Sequence, residues 1–238
     1  MSNDMKYPGL VAVAILLCIC SPGCTRNEKT GGLTAEQSVV KSRLERQMQE
    51  SARTAQTYHA MDNATLLNHL LEQSKAQREP FNSLAYRELK TRTTVDSTAL
   101  AALVKANQGA DGLLPLLLLR KLDNKAYLDI PVETRVRVLT DALQSSKTFN
   151  TWGLPGAYLE DGSYALIEAG PAAVPRLRQM LGDTRLAPLF GSKEHMLALE
   201  HKYRLCDYAL FFLRRIQGDV QFTLPRTTEE RDTLIKQV

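Results

Sequence analysis

Residues 163–183 read SYALIEAGPAAVPRLRQMLGD and carry the clearest fold signal in the chain. The first half places apolar residues at helical spacing and ends at Gly170, a residue type that lets the chain reverse direction. Pro175 then falls in the opening turn of a second helix, where a proline forfeits no hydrogen bond. The stretch therefore predicts two short helices joined by a tight turn, with Gly170 and Pro175 in structural roles.

An earlier stretch, residues 109–123, repeats this pattern at an offset of sixty residues. Pro115 aligns with Pro175, and Asp123 aligns with Asp183 at the point where each helix ends. The apolar face of one such hairpin is too small to close on itself, so hairpins of this kind stack on their neighbours. The repeat predicts an all-α chain of stacked antiparallel helix hairpins.

The stretch 163–183 resembles a HEAT repeat, in which the first helix ends in glycine and an Ala-Val-Pro-x-Leu motif opens the second. Residues 203–218 resemble the first helix of a following repeat, and residues 226–238 resemble its second helix. The resemblance implies an α-solenoid of HEAT-like hairpins over residues 61–238. It leaves the function open, because one fold hosts many functions.

The composition agrees with a globular helical protein. Apolar residues make up 44% of the chain and charged residues 24%, whereas aromatic residues make up only 6%. Abundant leucine and alanine with few aromatic residues favour packed helices over a β-sandwich. The net charge of +4 is small and spread along the chain, so we expect no nucleic-acid partner.

The N-terminus has the pattern of an export signal. Residues 10–20 are an unbroken apolar stretch, about as long as a signal-peptide core and too short for an ordinary membrane span. Pro22 and Gly23 then break the helix directly before Cys24. This arrangement resembles a bacterial lipoprotein signal, and the resemblance implies cleavage of residues 1–23 and a lipid on Cys24. The alternatives are an ordinary secretory signal, an uncleaved anchor or a buried N-terminal helix.

The lipoprotein resemblance also implies a location. Two or three acyl chains hold a protein stably at a membrane, at about 0.8 kcal/mol per buried CH₂. In enteric-type lipoproteins an aspartate after the lipidated cysteine favours the inner membrane, and this chain has Thr25 there. We therefore expect an outer-membrane lipoprotein facing the periplasm, held by the lipid on Cys24 and a flexible linker over residues 24–33.

A long polar helix is predicted over residues 34–60. Thr34 and Gln37 have the spacing of a capping box at its start. Its apolar stripe is thin, so the helix is either a spacer or a loosely docked first helix.

Cys206 has no partner for a disulfide if Cys24 carries lipid, because Cys18 and Cys20 leave with the signal. The apolar run around Cys206 predicts a buried, unreactive thiol. The alternative is a reactive nucleophile, which would need a nearby base and a partly open site.

Asp207 follows Cys206, near the expected core boundary of its helix. In HEAT-like repeats such an aspartate pairs with a basic residue of a neighbouring helix and fixes how hairpins stack. Arg204 and Arg231 are the candidate partners here. The alternative role for Asp207 is that of an acid–base carboxylate.

Aromatic residues cluster in the loop over residues 148–162, which include Phe149, Trp152 and Tyr158. One interpretation is buried filler between repeats. The other is a partner-binding patch, since aromatic residues on loops often anchor interfaces. No period-2 strand pattern is evident in this loop or elsewhere.

No motif points to a reaction. The histidines lack the i, i+4 spacing of a helical zinc pair, and phosphate-binding loops and a Gly-x-Ser-x-Gly motif are missing from the sequence. We therefore expect no catalytic residue, no metal and no cofactor. The sequence favours a lipid-anchored envelope protein that binds or scaffolds an unknown protein partner. The alternatives are an envelope enzyme with a site on the concave face of the solenoid, and a structural spacer lipoprotein.

Overall fold

The computed structural model describes residues 35–75, 81, 83–92, 96–107, 109–189 and 192–238. The predicted signal peptide, Cys24 and the linker lie outside these residues. The described residues are mostly helical, which confirms the predicted all-α class.

The described chain contains twelve α-helices, with three short 3₁₀ turns at Ala110–Gly112, Gly170–Ala173 and Met180–Gly182. The helices are α1 Ala35–Ala60, α2 Asn63–Lys75, α3 Leu84–Thr91, α4 Ser97–Ala106, α5 Leu113–Leu122, α6 Asn124–Leu128, α7 Val132–Ser145, α8 Asp161–Glu168, α9 Val174–Gln179, α10 Ser192–His201, α11 Leu205–Ile216 and α12 Thr228–Ile235.

Contacts divide the chain into two units, Met1–Gln49 and Glu50–Val238. Of the first unit the structure describes residues 35–49, which form the first part of α1. The predicted long polar helix is thus present, and none of its residues is buried. Its large apolar side chains, Val39, Val40, Leu44 and Met48, are exposed.

Short polar side chains start several helices of the second unit. The carboxylate of Asp62 accepts the N–H of Thr65 at 2.9 Å at the start of α2, and Asp96 accepts the N–H of Ala99 at 3.0 Å at the start of α4. These side chains satisfy amide groups that a helix start otherwise leaves unpaired. The sequence offers Asp62 or Asn63 at the first of these starts and Asp96 or Ser97 at the second, and the aspartate is the cap in both.

Two apolar helices lie at the centre of the second unit. Helix α5 reads LLPLLLLRKL and is buried from Leu113 to Leu119, because a helix that is apolar all round must be enclosed. It packs against α4, α6 and α7. Helix α11 is buried from Leu205 to Leu213 and packs against α8, α9 and α12.

A small hairpin interrupts the helices. Strands β1 (Gly153–Leu154) and β2 (Tyr158–Leu159) pair antiparallel in the aromatic loop, with Gly153 opposite Leu159. Strands of two residues are too short to show period-2 alternation, which is why the sequence pattern did not predict them.

Candidate partner-binding surface

An extended segment, residues 183–189, runs beside the start of α11. The N–H of Ala187 donates to the carbonyl of Tyr203 at 2.8 Å, and the N–H of Leu205 donates to the carbonyl of Arg185 at 2.9 Å. These two bonds place Leu186 directly opposite Arg204 in an antiparallel bridge. The segment is therefore held to the helix start by main-chain pairing.

A charged network fixes that helix start. Asp207 lies in the first turn of α11, and its carboxylate accepts the N–H of Arg204 at 2.8 Å. The Arg204 guanidinium contacts the same carboxylate through Nε at 3.1 Å and through Nη2 at 2.9 Å. Nη2 also contacts Asp232 of α12 at 2.6 Å. Arg204 thus links the first turn of α11 to α12.

Arg231 of α12 completes this network from inside the core. Its Nε lies 3.2 Å from Oδ2 of Asp207, close enough for charge pairing but not aligned as a hydrogen bond. Its remaining nitrogens donate to the carbonyls of His201, Pro225 and Arg226. Asp207 and Arg231 are both fully buried. The structure therefore brings Asp207 together with both of its candidate partners, Arg204 and Arg231.

Cys206 is buried beside this network. Its Sγ lies 3.8 Å from Oδ1 of Asp207. Burial, reinforced by the charge of Asp207, raises the pKa of the Cys206 thiol to about 11. Since the thiolate is the reactive form, this position fits the buried-thiol interpretation.

The aromatic loop lies in the core and contacts the extended segment. Trp152 is fully enclosed, and its Nε1 donates to Oγ of Ser146 at 2.9 Å. The Phe149 ring lies 4.8 Å from the Tyr208 ring, and the Phe149 N–H donates to the carbonyl of Pro188 at 2.8 Å. Trp152 and Phe149 therefore offer no surface to a partner and act as filler, whereas Tyr158 is partly exposed.

An apolar groove, the α10 groove, lies between the extended segment and α10. It measures about 180 Å³. Its lining residues are Leu186, Ala187, Pro188, Leu189, Ala198, Leu199, Lys202 and Tyr203. Leu186 is 65% exposed and Leu199 is 53% exposed, and Met196 is exposed one turn before Leu199. Exposed apolar side chains grouped in this way mark interaction sites in soluble domains.

The end of α10 shapes one side of that groove. The N–H of Lys202 donates to the carbonyl of Ala198 at 2.8 Å, and Lys202 has a φ of +49°. A residue in this left-handed conformation ends a helix and turns the chain. The turn brings Tyr203 back towards the extended segment, where its carbonyl accepts the N–H of Ala187.

A second cavity, the edge pocket, lies against the same segment. It measures about 260 Å³. Its lining residues are Gln144, Ser146, Lys147, Phe149, Arg185, Leu186, Pro188 and Leu205. Leu186 and Pro188 line both cavities, so the extended segment forms the wall between them.

The histidines serve local contacts where the structure describes them. His69 Nε2 lies 3.0 Å from the hydroxyl of Tyr58, and His59 Nδ1 lies 3.0 Å from Glu88 Oε1. Over the described ranges, no three His, Cys, Asp or Glu side chains are grouped so that they could hold a metal ion. In the same ranges, no helix has the length and apolar character needed to cross a membrane.

Sequence reasoning missed the α10 groove. Leu186 and Leu199 lie in different elements, and no motif links them. The local signal that was available is the apolar run of residues 186–189 between charged stretches, but that run alone does not show which side chains stay exposed.

Comparison with models of protein families, with curated proteins and with solved structures finds no match to this chain.

Proposed function

We propose that this protein is a lipid-anchored bacterial envelope protein that binds a protein partner through the α10 groove. One observation carries the proposal: two large apolar side chains, Leu186 and Leu199, line an apolar groove and are exposed. The fully buried centre of a protein interface is more apolar than its rim, so exposed apolar side chains in a groove suit such a centre.

The groove is preformed, which favours binding. Its wall is paired to residues 203–205, and Asp207 and Arg231 lock those residues to α11 and α12. A rigid surface loses little conformational entropy on association, so more of the contact energy contributes to affinity.

We further propose that the helices of the second unit are stacked as HEAT-like hairpins of an α-solenoid. Helices α8 and α9 flank the predicted Gly170 turn, and both pack against α11. Helix α12 packs on α11 as the second helix of a following hairpin would. Helix α10 and the extended segment are an insertion between these hairpins, at the place where the α10 groove forms.

The envelope location rests on the sequence pattern that ends at Cys24. We propose that lipid on Cys24 holds the protein at the outer membrane, facing the periplasm. Mass spectrometry of the mature protein should show an acylated N-terminal Cys24, and Cys24→Ala should leave an uncleaved precursor without acyl groups. A wild-type protein with the same mature N-terminus and no acyl group would contradict the anchor.

A second candidate function is that of a structural spacer. The observation that favours it is the 26-residue helix α1, none of whose residues is buried. In that case α1, and not the α10 groove, would be the segment on which function depends.

The binding proposal is tested by crosslinking in detergent-solubilised envelopes followed by affinity capture. We compare the wild type, Leu199→Glu in the groove and the control Val220→Glu, since Val220 is 60% exposed and lines neither the α10 groove nor the edge pocket. Wild type and control should capture the same proteins, and Leu199→Glu should lose at least one of them. Identical capture by all three would contradict binding through this groove.

A further inference from the structure

The second part of α1, residues 50–60, belongs to the second unit but buries no residue against it. The hydroxyls of Thr54 and Thr57 donate to carbonyls of the same helix, at 2.9 Å and 3.0 Å. A surface helix usually takes its direction from an apolar face that packs on a core. Because residues 50–60 have no buried face, their direction depends on how the end of the helix is held.

Arg92, the residue that follows α3, binds the end of α1. Its Nη1 donates to the carbonyl of Met61 at 2.7 Å, and its Nη2 donates to the carbonyl of Tyr58 at 2.8 Å. Nη2 also donates to the carbonyl of His59 at 3.4 Å. The last carbonyls of a helix have no partner within it, and the helix dipole favours a positive charge beside them. One guanidinium thus satisfies three carbonyls at the end of α1.

The same guanidinium joins α1 to its two neighbours in the chain. Nη1 also donates to Oδ1 of Asn63, the first residue of α2, at 2.7 Å. Glu88, one turn earlier in α3, accepts from Nε and from Nη2 at 3.4 Å. The side chain of Arg92 is 15% exposed and that of Glu88 is 20% exposed, so water screens their contacts less than those of a surface pair. The end of α1, the start of α2 and the end of α3 therefore meet at one side chain.

The link between α1 and α2 has the form of a hinge. Met61 and Asp62 separate the two helices, and neither residue is helical. Hinges are a few residues at the ends of elements that absorb a change of backbone angles while the elements themselves stay intact. Tyr58 adds one contact, with its hydroxyl 3.0 Å from Nε2 of His69. One such contact restrains a point on the helix and not its direction.

We propose that Arg92 is a positioning residue that fixes the direction of residues 50–60 of α1 relative to α2 and α3. Without its guanidinium, this part of α1 swings about Met61 and Asp62 while the core of the second unit stays folded. The inference goes beyond the proposed binding function and does not rest on the α10 groove. It supplies what the spacer function would need, because a helix that acts as a spacer must keep a fixed direction.

The test measures the direction of α1 by the distance between two nitroxide spin labels. The labels are attached at Ser51→Cys in α1 and at Lys105→Cys in α4, which are exposed positions, in the full chain with its four native cysteines replaced by serine. Ser51 lies about 14 Å along the helix axis from Ala60, so a tilt of about 30° moves it by about 7 Å. A second pair, with the α4 label moved to Lys121→Cys in α5, detects tilts that the first pair does not.

Distance distributions are recorded by pulsed EPR in detergent micelles. The chain with Arg92 should give one narrow distribution for each pair. Arg92→Ala should broaden or shift at least one of them by about 5 Å or more. The control Arg87→Ala removes the same charge from an exposed position of α3 and should change neither. Narrow, unshifted distributions in Arg92→Ala, or equal broadening in Arg87→Ala, would overturn the proposal.

Arg92→Lys separates the shape of the guanidinium from its charge. Lysine keeps the charge, but its ammonium is a point charge, whereas the planar guanidinium reaches several acceptors in fixed directions. We expect Arg92→Lys to broaden the distributions nearly as much as Arg92→Ala does. Distributions as narrow as those of the chain with Arg92 would show that charge alone fixes α1, and would overturn the role given to the guanidinium.

Hydrogen exchange separates a released helix from a damaged fold. In Arg92→Ala the amides of α5 and α11 should keep their protection, because Arg92 bonds to the ends of α1, α2 and α3. Loss of protection in α5 and α11 would show that Arg92 holds the whole second unit, which contradicts a local role. None of these results depends on the capture of envelope proteins, so failure of the proposed binding function leaves this inference standing.

Discussion

Asp207 of α11 and Arg231 of α12 form an ion pair in the interior, with Oδ2 of the carboxylate 3.2 Å from Nε of the guanidinium. Neither residue has any exposed surface. A buried pair of this kind is tolerated when its other polar atoms are also satisfied, because both charges have left water. Arg204 satisfies the carboxylate, and main-chain carbonyls satisfy the guanidinium. The pair joins α12 to the helix start on which the extended segment depends.

Removing Asp207 should destabilise the protein strongly. Asp207→Ala leaves the enclosed charge of Arg231 without its partner, and we expect a loss of about 3–5 kcal/mol in the free energy of unfolding. Urea unfolding measures the loss, provided that the m-value stays constant. The control is Asp232→Ala, which removes a partly exposed contact of Arg204 and should cost much less. Equal losses in the two variants would contradict the structural role of Asp207.

Cys206 should be unreactive in the folded protein. The side chain is 1% exposed, and the raised pKa of about 11 keeps the thiol protonated near neutral pH. A thiol reagent should label it only in denaturant. Val220→Cys, at an exposed position, provides a matched site that should react at once in the native state. Fast labelling of native Cys206 would support a functional thiol instead.

Stability should fall at alkaline pH. Burial raises the pKa of Cys206 to about 11 and raises the pKa of Tyr208 well above its usual value. In the unfolded chain these groups lose their protons at about 8.5 and 10. Above those values the unfolded state binds fewer protons than the folded state. The contribution of these two groups to the free energy of unfolding is therefore fully present below a pH of about 8 and is lost as the pH rises. Cys206→Ser should reduce the fall in the free energy of unfolding between about pH 8.5 and 11. An unchanged fall would contradict the raised pKa of Cys206 as its cause.

Tyr208 should contribute through its hydroxyl as well as its ring. The hydroxyl donates to the carbonyl of Gly153 at 2.7 Å, and this bond ties α11 to strand β1 inside the core. Tyr208→Phe leaves that carbonyl unpaired, and we expect a loss of about 1–3 kcal/mol. Tyr164→Phe changes an exposed tyrosine and should be neutral in the same thermal or urea unfolding experiment. No difference between the two variants would show that the carbonyl finds another partner.

Deletion of residues 226–238 tests the stacked-hairpin proposal. It removes Arg231 together with Leu234 and Ile235, which pack against the core. If stability is a sum over neighbouring interfaces, hydrogen exchange should speed up in α11 while α5 and α7 stay protected. Uniform loss of protection would show that the second unit unfolds as one body and would contradict the solenoid.

The sequence alone determined the local features of this protein. The long polar helix α1 and the turn at Gly170 follow from neighbours within a few residues, and the structure shows both of them. Neighbours also limited the caps of α2 and α4 to two adjacent residues each, of which the structure uses Asp62 and Asp96. The candidate partners of Asp207 were also apparent. The physical reason is that helix starts, turns and amphipathic spacing depend on hydrogen bonds and sterics over one or two helical turns.

The tertiary structure alone decided which side chains are exposed to solvent. Trp152 and Phe149 are enclosed because α11 packs over the aromatic loop, and Leu186 stays exposed because its segment pairs with residues that follow α10. The α10 groove and the edge pocket exist only where these distant segments meet. Burial is set by contacts between residues far apart in the chain, and no local spacing encodes it.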